Sequence, residues 1–321
     1  MQAIRYLWVM VIVHIACGCS APSAPPHVQA PAAGAEGATS RAAAPRPDEK
    51  LSDEINKALL KGDLEEASAI VERAGRASSA MQPSARALAY YRATVRAYQG
   101  DPSGAAKVLY DHIAAVGATT ADAFYFHDAM IALRTADGDI LGALVECEEM
   151  VKAGSLGTWK PSGGERMTLV RLKEHWHRAY LLRMFAQTLK GSAREAMVAY
   201  AEAARRDYVA LANPLDDLRD SIAVLDAYFA FCDGVPARMR EAASRVNVAK
   251  DDDVEDLYLV QLALEGAGDR EAAAAVRKRM LALTDATVLT PVFVTWMRTD
   301  DAAGPQHRFS PKYPTGVRSA P

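Results

Sequence analysis

The elbow Lys61-Gly62-Asp63-Leu64-Glu65-Glu66-Ala67 sets the pattern of this chain, because a glycine followed five residues later by a small residue recurs downstream. Glycine readily adopts the left-handed backbone that ends a helix, and Asp63 can cap the free N–H groups of the next helix. Glu65 and Glu66 then fall in the first turn, where the helix dipole favours negative charge. Ala67 lies where two antiparallel helices approach most closely. The elbow therefore predicts a helix, a tight turn and a second helix.

Four further elbows keep both the glycine and the alanine, and one keeps the glycine alone. They are Gly100/Ala105, Gly138/Ala143, Gly191/Ala196 and Gly268/Ala273, with Gly234/Met239 lacking the small residue. The first three glycines, at 62, 100 and 138, are separated by two equal steps of 38 residues, and the later steps are uneven. The spacing indicates a repeated unit of two helices.

Between the elbows, apolar residues recur at helical spacing, and no stretch shows sustained alternation with period two. The predicted helix pairs are 50–61 with 64–76, 83–99 with 103–116, 120–136 with 140–153, 165–190 with 193–207, 214–232 with 236–247, and 254–265 with 269–283. Residues 154–164 form a predicted irregular connection, Asn213-Pro214 starts one helix, and residues 251–253 cap another. Residues 290–298 suit a last short helix or a strand. With abundant alanine and only 7% aromatic residues, the chain is expected to be all-α.

The N-terminus predicts export and a lipid anchor. Arg5 precedes an apolar run that starts at Leu7 and is too short to span a bilayer, which needs about 20 apolar residues. The sequence Ala16-Cys17-Gly18-Cys19-Ser20 resembles the lipobox of bacterial lipoproteins. That resemblance implies acylation of Cys19, with Cys17 as the alternative, and Ser20 resembles the residue found in lipoproteins sent to the outer membrane. An ordinary secretory signal is the competing interpretation.

Composition divides the chain into four segments. Residues 1–18 are the predicted signal peptide, and residues 19–47, rich in Ala and Pro, are a predicted disordered tether. Residues 48–298 are the predicted helical array, and residues 299–321 a disordered tail. The formal charge is −3, and −4 without residues 1–18, which gives no electrostatic reason to expect nucleic acid as a partner.

The elbow pattern over residues 50–285, with Tyr200 four residues after Ala196 and Ala203 three further on, resembles the tetratricopeptide repeat, a helix–turn–helix unit of about 34 residues. The resemblance implies a right-handed α-solenoid whose first helices line a concave groove that binds peptides or protein segments. Transferred unit by unit from the elbow glycine, the groove positions are Tyr90, Thr94, Tyr98, Asp128, Arg178, Tyr228 and Tyr258. Packing between helices is the competing interpretation for each of them.

Signals for catalysis, metals and cofactors are weak, so no enzyme and no cofactor is predicted. His175 and His177 are two residues apart, which directs them away from a shared metal on a helix. The glycines at 154–164 lack the order that a phosphate-binding loop requires, and residues 251–253 lack the spacing of a calcium loop. Cys147 and Cys232 suit the core, and a disulfide between them requires that they meet.

These observations together predict a lipoprotein of the bacterial envelope, on the outer membrane facing the periplasm, that acts as an interaction scaffold or assembly factor. Its expected partners are envelope proteins or peptide segments, and the N-terminal lipid is expected to attach it to the membrane. The alternative is a surface receptor for a small molecule such as an oligosaccharide, which would need exposed aromatic planes at Trp159 or Trp176.

Overall fold

Helix and turn alternate through residues 46–79, 82–251 and 253–284, which are the residues described by the computed structural model. Over these residues there are twelve α-helices and no strand, so the all-α prediction is confirmed for this part of the chain. The helices are α1 Pro47–Lys61, α2 Leu64–Gly75, α3 Ala85–Tyr98, α4 Pro102–Val116, α5 Ala121–Asp137, α6 Ile140–Leu156, α7 Gly164–Ala186, α8 Gly191–Ala212, α9 Arg219–Asp233, α10 Pro236–Ser244, α11 Val254–Gly266 and α12 Arg270–Thr284.

Most of the elbows have the predicted geometry. All six elbow glycines have positive φ, from 56° to 80°. An aspartate follows four of them and accepts a backbone N–H of the next helix, at 2.9 Å for Asp63, 2.8 Å for Asp101, 2.9 Å for Asp139 and 3.2 Å for Asp269. The small residues Ala67, Ala105 and Ala143 are 0% exposed and Ala273 is 3% exposed. The close approach of paired helices at these positions explains why a small side chain is needed.

The elbow at Gly191 was predicted wrongly. Helix α7 ends at Ala186 and α8 begins at Gly191 itself, after Lys190, which provides no side-chain cap. As a result Ala196 is exposed and Tyr200 is 62% exposed, although the repeat pattern requires both in the helix interface. The buried residues of α8 are Ala201, Ala204, Tyr208 and Ala212 instead. The face of α8 that packs therefore begins further along the chain than the glycine indicated.

Two other boundaries also differ from the prediction. Asn213 ends α8 in a helical conformation and does not start a helix, since a 3-10 turn at Asp216–Leu218 intervenes before α9. Residues 154–156 belong to α6, so the irregular connection is shorter than predicted. The cap at Asp253 is as predicted, because its carboxylate accepts the N–H groups of Glu255 at 2.8 Å and Asp256 at 3.2 Å.

Consecutive helices pack against each other along the chain, and several odd-numbered helices also touch: α1 with α3, α3 with α5, α7 with α9, and α9 with α11. Three side-chain contacts between neighbouring units join residues 36 positions apart: Asp48 with Ser84, Arg86 with Asp122 and Tyr110 with Glu146. The apolar core of the described residues has one cluster in α1 to α3, a larger one from α3 to α12 and a small one around α9 to α11. Tyr90 and Tyr98 pack against the first two.

The predictions for the two ends of the chain, including Cys17, Cys19, the tether, the segment 290–298 and the tail, concern residues outside the described ranges. Within those ranges, no helix combines the length and the apolar character needed to cross a membrane. Cys147 and Cys232 are both free thiols, so the conditional disulfide is absent.

Candidate functional site

Three of the seven predicted groove residues are buried and are not available as binding surface. Tyr228 is 0% exposed, Tyr258 is 1% exposed and Thr94 is 8% exposed. The Tyr228 ring lies 5.0 Å from that of Tyr180, and the Thr94 hydroxyl donates to the carbonyl of Tyr90 at 2.9 Å. The helices are in closer contact here than the repeat pattern implied, so these side chains fill the interface between neighbouring helices.

The other predicted groove residues are partly accessible. Tyr90 and Tyr98 are half-buried on α3, and Arg178 on α7 is paired with Glu174 at 3.0 Å with 40% of its side chain exposed. Asp128, on α5, has only 11% of its side chain exposed, yet it lies at the centre of a polar cluster. The candidate site is built around this residue.

The Asp128 site joins helices that are far apart in the sequence. Lys173 Nζ donates to Asp128 Oδ2 at 2.7 Å, and His177 Nε2 lies 2.8 Å from Asp128 Oδ1. Lys173 and His177 are four residues apart on α7, so they share one face of that helix and both reach α5. Sequence reasoning named Asp128 and noted His177 but missed Lys173, although this spacing on a predicted helix was visible.

The charge of Asp128 is stabilised by its two partners. Burial raises the pKa of a carboxyl group, but the Lys173 ammonium and the hydrogen bond with His177 outweigh burial and hold the pKa of Asp128 well below its usual range. Asp128 is therefore an anion at any physiological pH. Both of its oxygens are engaged by α7, which makes the carboxylate a fixed positioning group for the lysine and the imidazole.

The second nitrogen of His177 has no partner. Its Nδ1 atom is buried and makes no hydrogen bond, while 12% of the side chain is exposed. The Trp176 ring stands perpendicular to the imidazole, with centroids 5.4 Å apart. A buried polar atom usually has a partner in a folded protein. Nδ1 is therefore the nitrogen of His177 that no other residue engages, in a side chain that is not fully buried.

Helix α11 adds a carboxyl group to the site. The Asp253 cap fixes the first turn of α11, and Glu255 in that turn interacts electrostatically with Asp128 and Lys173. Burial, followed by the charges of Asp253 and Asp128, raises the pKa of Glu255 to about 8, and Lys173 opposes this only in part. Glu255 therefore titrates near neutral pH. Sequence reasoning missed it because nothing local shows that α11 approaches α5 and α7.

Aromatic side chains form one wall of the site. Burial and the charge of Asp128 raise the pKa of Tyr125, which is half-buried on α5. Trp159 packs on Phe124 and Tyr125 with ring centroids 5.1 Å and 6.0 Å apart, and the Arg166 guanidinium lies 5.9 Å from its ring centre. Trp176 is 2% exposed. Neither tryptophan offers a free plane, so the oligosaccharide alternative loses the feature that motivated it.

The thiols of the described residues are poor nucleophiles, and these residues offer no cluster of metal ligands. Burial raises the pKa of Cys147 and of Cys232 to about 12, so neither thiol ionises readily as a nucleophile. The described residues contain no group of three or more His, Cys, Asp or Glu side chains that could hold a metal ion. The Asp128 site itself contains charged and hydrogen-bonding side chains of fixed orientation, which suit the recognition of a polar ligand.

Comparison of the chain with protein-family models, with curated proteins and with solved structures found no match.

Proposed function

We propose that the protein is a lipid-anchored interaction scaffold of the bacterial envelope. Its helix pairs stack into a right-handed solenoid, and a segment of another envelope protein binds along the odd-numbered helices. The observation that carries the proposal is the Asp128 site, where polar side chains of α5 and α7 meet, Glu255 of α11 interacts with them electrostatically, and the Nδ1 atom of His177 is left unpaired.

The packing order supports the solenoid. Each two-helix unit buries its apolar side against the next unit, as repeat arrays do. Contacts at a constant separation of 36 residues, such as that of Arg86 with Asp122, are expected when the same rotation and translation relates each unit to the next. In such an array the odd-numbered helices lie side by side, and they form a continuous surface on which an extended segment can lie.

The recognition step requires a partner with polar groups at fixed spacing. The Nδ1 atom of His177 gives the site one hydrogen-bond donor or acceptor. Glu255 adds a titratable carboxyl group, and Tyr125 adds a half-buried aromatic ring. A peptide segment offers backbone N–H and C=O groups together with side chains that suit this mixture. Tyrosine supplies both apolar area and a polar tip for such a contact.

Site-specific photocrosslinking in intact cells tests the binding surface. A photoreactive residue at Tyr125 is expected to capture a discrete partner, whereas the same residue at Tyr200, 62% exposed on α8, is the control for random collision. His177→Gln retains a donor toward Asp128 but removes Nδ1, and it is expected to weaken the crosslink from position 125. Equal capture from both positions, or no effect of His177→Gln, would contradict binding at this site.

Metabolic labelling with palmitate tests the anchor. We expect that Cys19→Ser loses the label and leaves the membrane fraction, while Cys17→Ser retains both. The reverse pattern would assign the anchor to Cys17. Lasting attachment to a membrane needs two or more acyl chains, and these would carry the palmitate label. A wild-type chain without the label would therefore refute the lipid anchor.

A further inference from the structure

Four buried hydrogen-bonding groups at the junction of α7 and α9 lack a hydrogen-bond partner. They are the Nε and Nη1 atoms of Arg183, the Nε2 atom of Gln187 and the hydroxyl of Tyr228. Arg183 is 1% exposed and Tyr228 is 0% exposed. The neighbour of the Tyr228 hydroxyl is the thiol of Cys232, which is a weak acceptor. Because buried polar groups nearly always have partners, unpaired groups on two helices that pack together indicate a missing acceptor.

These groups converge from two helices. Arg183 and Gln187 are four residues apart on α7 and so share one face. The Arg183 guanidinium carbon lies 5.7 Å from the centre of the Phe229 ring on α9. The charge of Arg183 also lowers the pKa of both Tyr228 and Cys232, which lie one turn apart on α9, although burial keeps both values high. The Arg183 guanidinium therefore lies on the side of α7 that packs against α9.

The junction also has an excess of positive charge. Arg183 Nη2 donates to Oδ1 of Asp233, and Arg238 Nη1 donates to Oδ2 of the same carboxylate at 3.2 Å. The charge of Arg194 reaches Cys232 as well, and within the described residues Arg194 forms no ion pair. One carboxylate thus pairs with two guanidinium groups, while the charge of Arg194 is not balanced by an ion pair within the described residues. The Asp233 side chain is 30% exposed, so the junction opens to solvent at this edge.

A second arginine near the same ring lacks these properties. The Arg205 guanidinium also lies 5.7 Å from the centre of the Phe229 ring, but it is bonded to Asp226 and, at 3.3 Å, to Glu202. Its charge is balanced and its side-chain nitrogens are engaged. Position next to Phe229 therefore does not explain the unpaired donors of Arg183.

We propose that the junction of α7 and α9 binds a small oxyanion, whose oxygens accept hydrogen bonds from Arg183, Gln187 and Tyr228. Phosphate groups and carboxylates share the required chemistry, because both carry negative charge on acceptor oxygens that a guanidinium recognises. None of the three residues belongs to the Asp128 site. The proposal therefore stands or falls independently of the scaffold function.

Calorimetric titration of the full-length protein, solubilised in detergent, with inorganic phosphate and separately with acetate tests the proposal. Tyr228→Phe removes only the hydroxyl, and we expect it to weaken binding about tenfold, as is typical for the loss of a hydrogen bond to a charged group. Gln187→Leu is expected to act similarly. Because the Tyr228 hydroxyl has only the weak thiol acceptor of Cys232 and Gln187 Nε2 has no hydrogen-bond partner, neither change should appreciably lower the unfolding midpoint measured without the anion.

Arg205→Gln is the matched control, and it should bind the anion like the wild type. Binding of phosphate alone identifies a phosphate group as the ligand, and binding of acetate alone identifies a carboxylate. If neither binds, or if Tyr228→Phe and Gln187→Leu leave the affinity unchanged, water molecules satisfy these donors and the proposal is overturned.

Discussion

Two buried carboxylates, Glu146 and Asp128, lie in networks that differ in completeness. Glu146, 1% exposed, accepts from the Tyr110 hydroxyl and from Arg134 Nε at 2.8 Å, and His127 Nδ1 lies 2.8 Å from its second oxygen. No buried side-chain atom of these four residues lacks a partner. In the Asp128 network, His177 keeps an unpaired nitrogen.

The networks also differ in the helices that they join. The Glu146 network connects α4, α5 and α6, which follow one another in the chain, and Arg134 links it to the elbow through Asp139 Oδ2 at 2.7 Å. The Asp128 network connects α5 with α7 and faces Glu255 of α11. We infer that the first network stabilises consecutive helices, whereas the second leaves polar groups for a ligand.

The regularity of the elbows follows the same division. The glycines at 62, 100 and 138 are evenly spaced and each is followed by a capping aspartate, and the Glu146 network lies among these units. The helices that follow the next two elbow glycines, Gly191 and Gly234, have no side-chain cap at their start. The pattern of an elbow glycine and a capping aspartate therefore holds best around the Glu146 network, in which every buried polar side-chain atom has a partner. It holds less well in the region that contains α7 to α10.

The largest expected effect is that of Glu146→Ala. The change leaves the Arg134 and His127 side chains without their shared acceptor, and removing one partner of a buried ionic network typically costs 3 to 5 kcal/mol. Since Arg134 is partly exposed, we expect the free energy of unfolding to fall by about 3 kcal/mol in urea titrations. Glu148→Ala, an exposed position two residues away, is the control. Similar losses for both variants would show that the Glu146 network contributes nothing specific.

Lys173→Met tests the Asp128 network. Lys173 is 6% exposed, and its replacement leaves Asp128 with His177 as its remaining partner, so we expect the free energy of unfolding to fall by about 2 kcal/mol. Adding Asp128→Asn should recover part of the loss, because a neutral amide needs no counter-charge. Lys107→Met, at an exposed pair with Asp111, should change stability by less than about 0.5 kcal/mol. A double variant no more stable than Lys173→Met would argue against charge compensation.

Ala143→Leu and Ala196→Leu compare a regular elbow with the irregular one. Ala143 is 0% exposed against the preceding helix, so a larger side chain should lower the free energy of unfolding by about 1.5 kcal/mol. Ala196 is exposed, and its replacement should be nearly neutral. Equal losses in chemical denaturation would mean that α8 packs in the register predicted from Gly191, contrary to the structure.

The all-α class, most helix boundaries and four aspartate caps could be predicted because they depend on neighbours within a few residues. The elbow glycine at 62, for example, fixes a local turn whatever it packs against. The errors had non-local causes: Tyr228 and Tyr258 are buried because adjacent odd-numbered helices meet closely, which no local pattern reports. Glu255 joins the candidate site through tertiary packing of α11, more than 120 positions beyond Asp128.

Glu255→Gln has the smallest expected effect. It tests the Asp128 network through the pH dependence of the free energy of unfolding. The folded-state pKa of Glu255 is about 8 against a reference of 4.5, so the folded chain holds a proton that the unfolded chain releases. Stability is therefore lost as pH rises from about 5 to 8, since unfolding releases a proton throughout this range. Each pKa unit corresponds to about 1.4 kcal/mol, and partial exposure of the side chain reduces the effect, so we expect Glu255→Gln to gain about 1 kcal/mol at pH 8 and almost nothing at pH 4.

Urea denaturation of wild type and variant at several pH values measures this difference, with Glu241→Gln, at an exposed position on α10, as the control. The charged groups that act on Glu255 are Asp253, Asp128 and Lys173, and the charge of Glu255 in turn raises the pKa of Asp256 and of Tyr180. The difference between the two curves therefore reports Glu255 together with its effect on these two neighbours. A gain that is equal at pH 4 and pH 8 would mean that Glu255 titrates normally. In that case Glu255 would not belong to the Asp128 network, and the contrast with the Glu146 network would rest on the unpaired nitrogen of His177 alone.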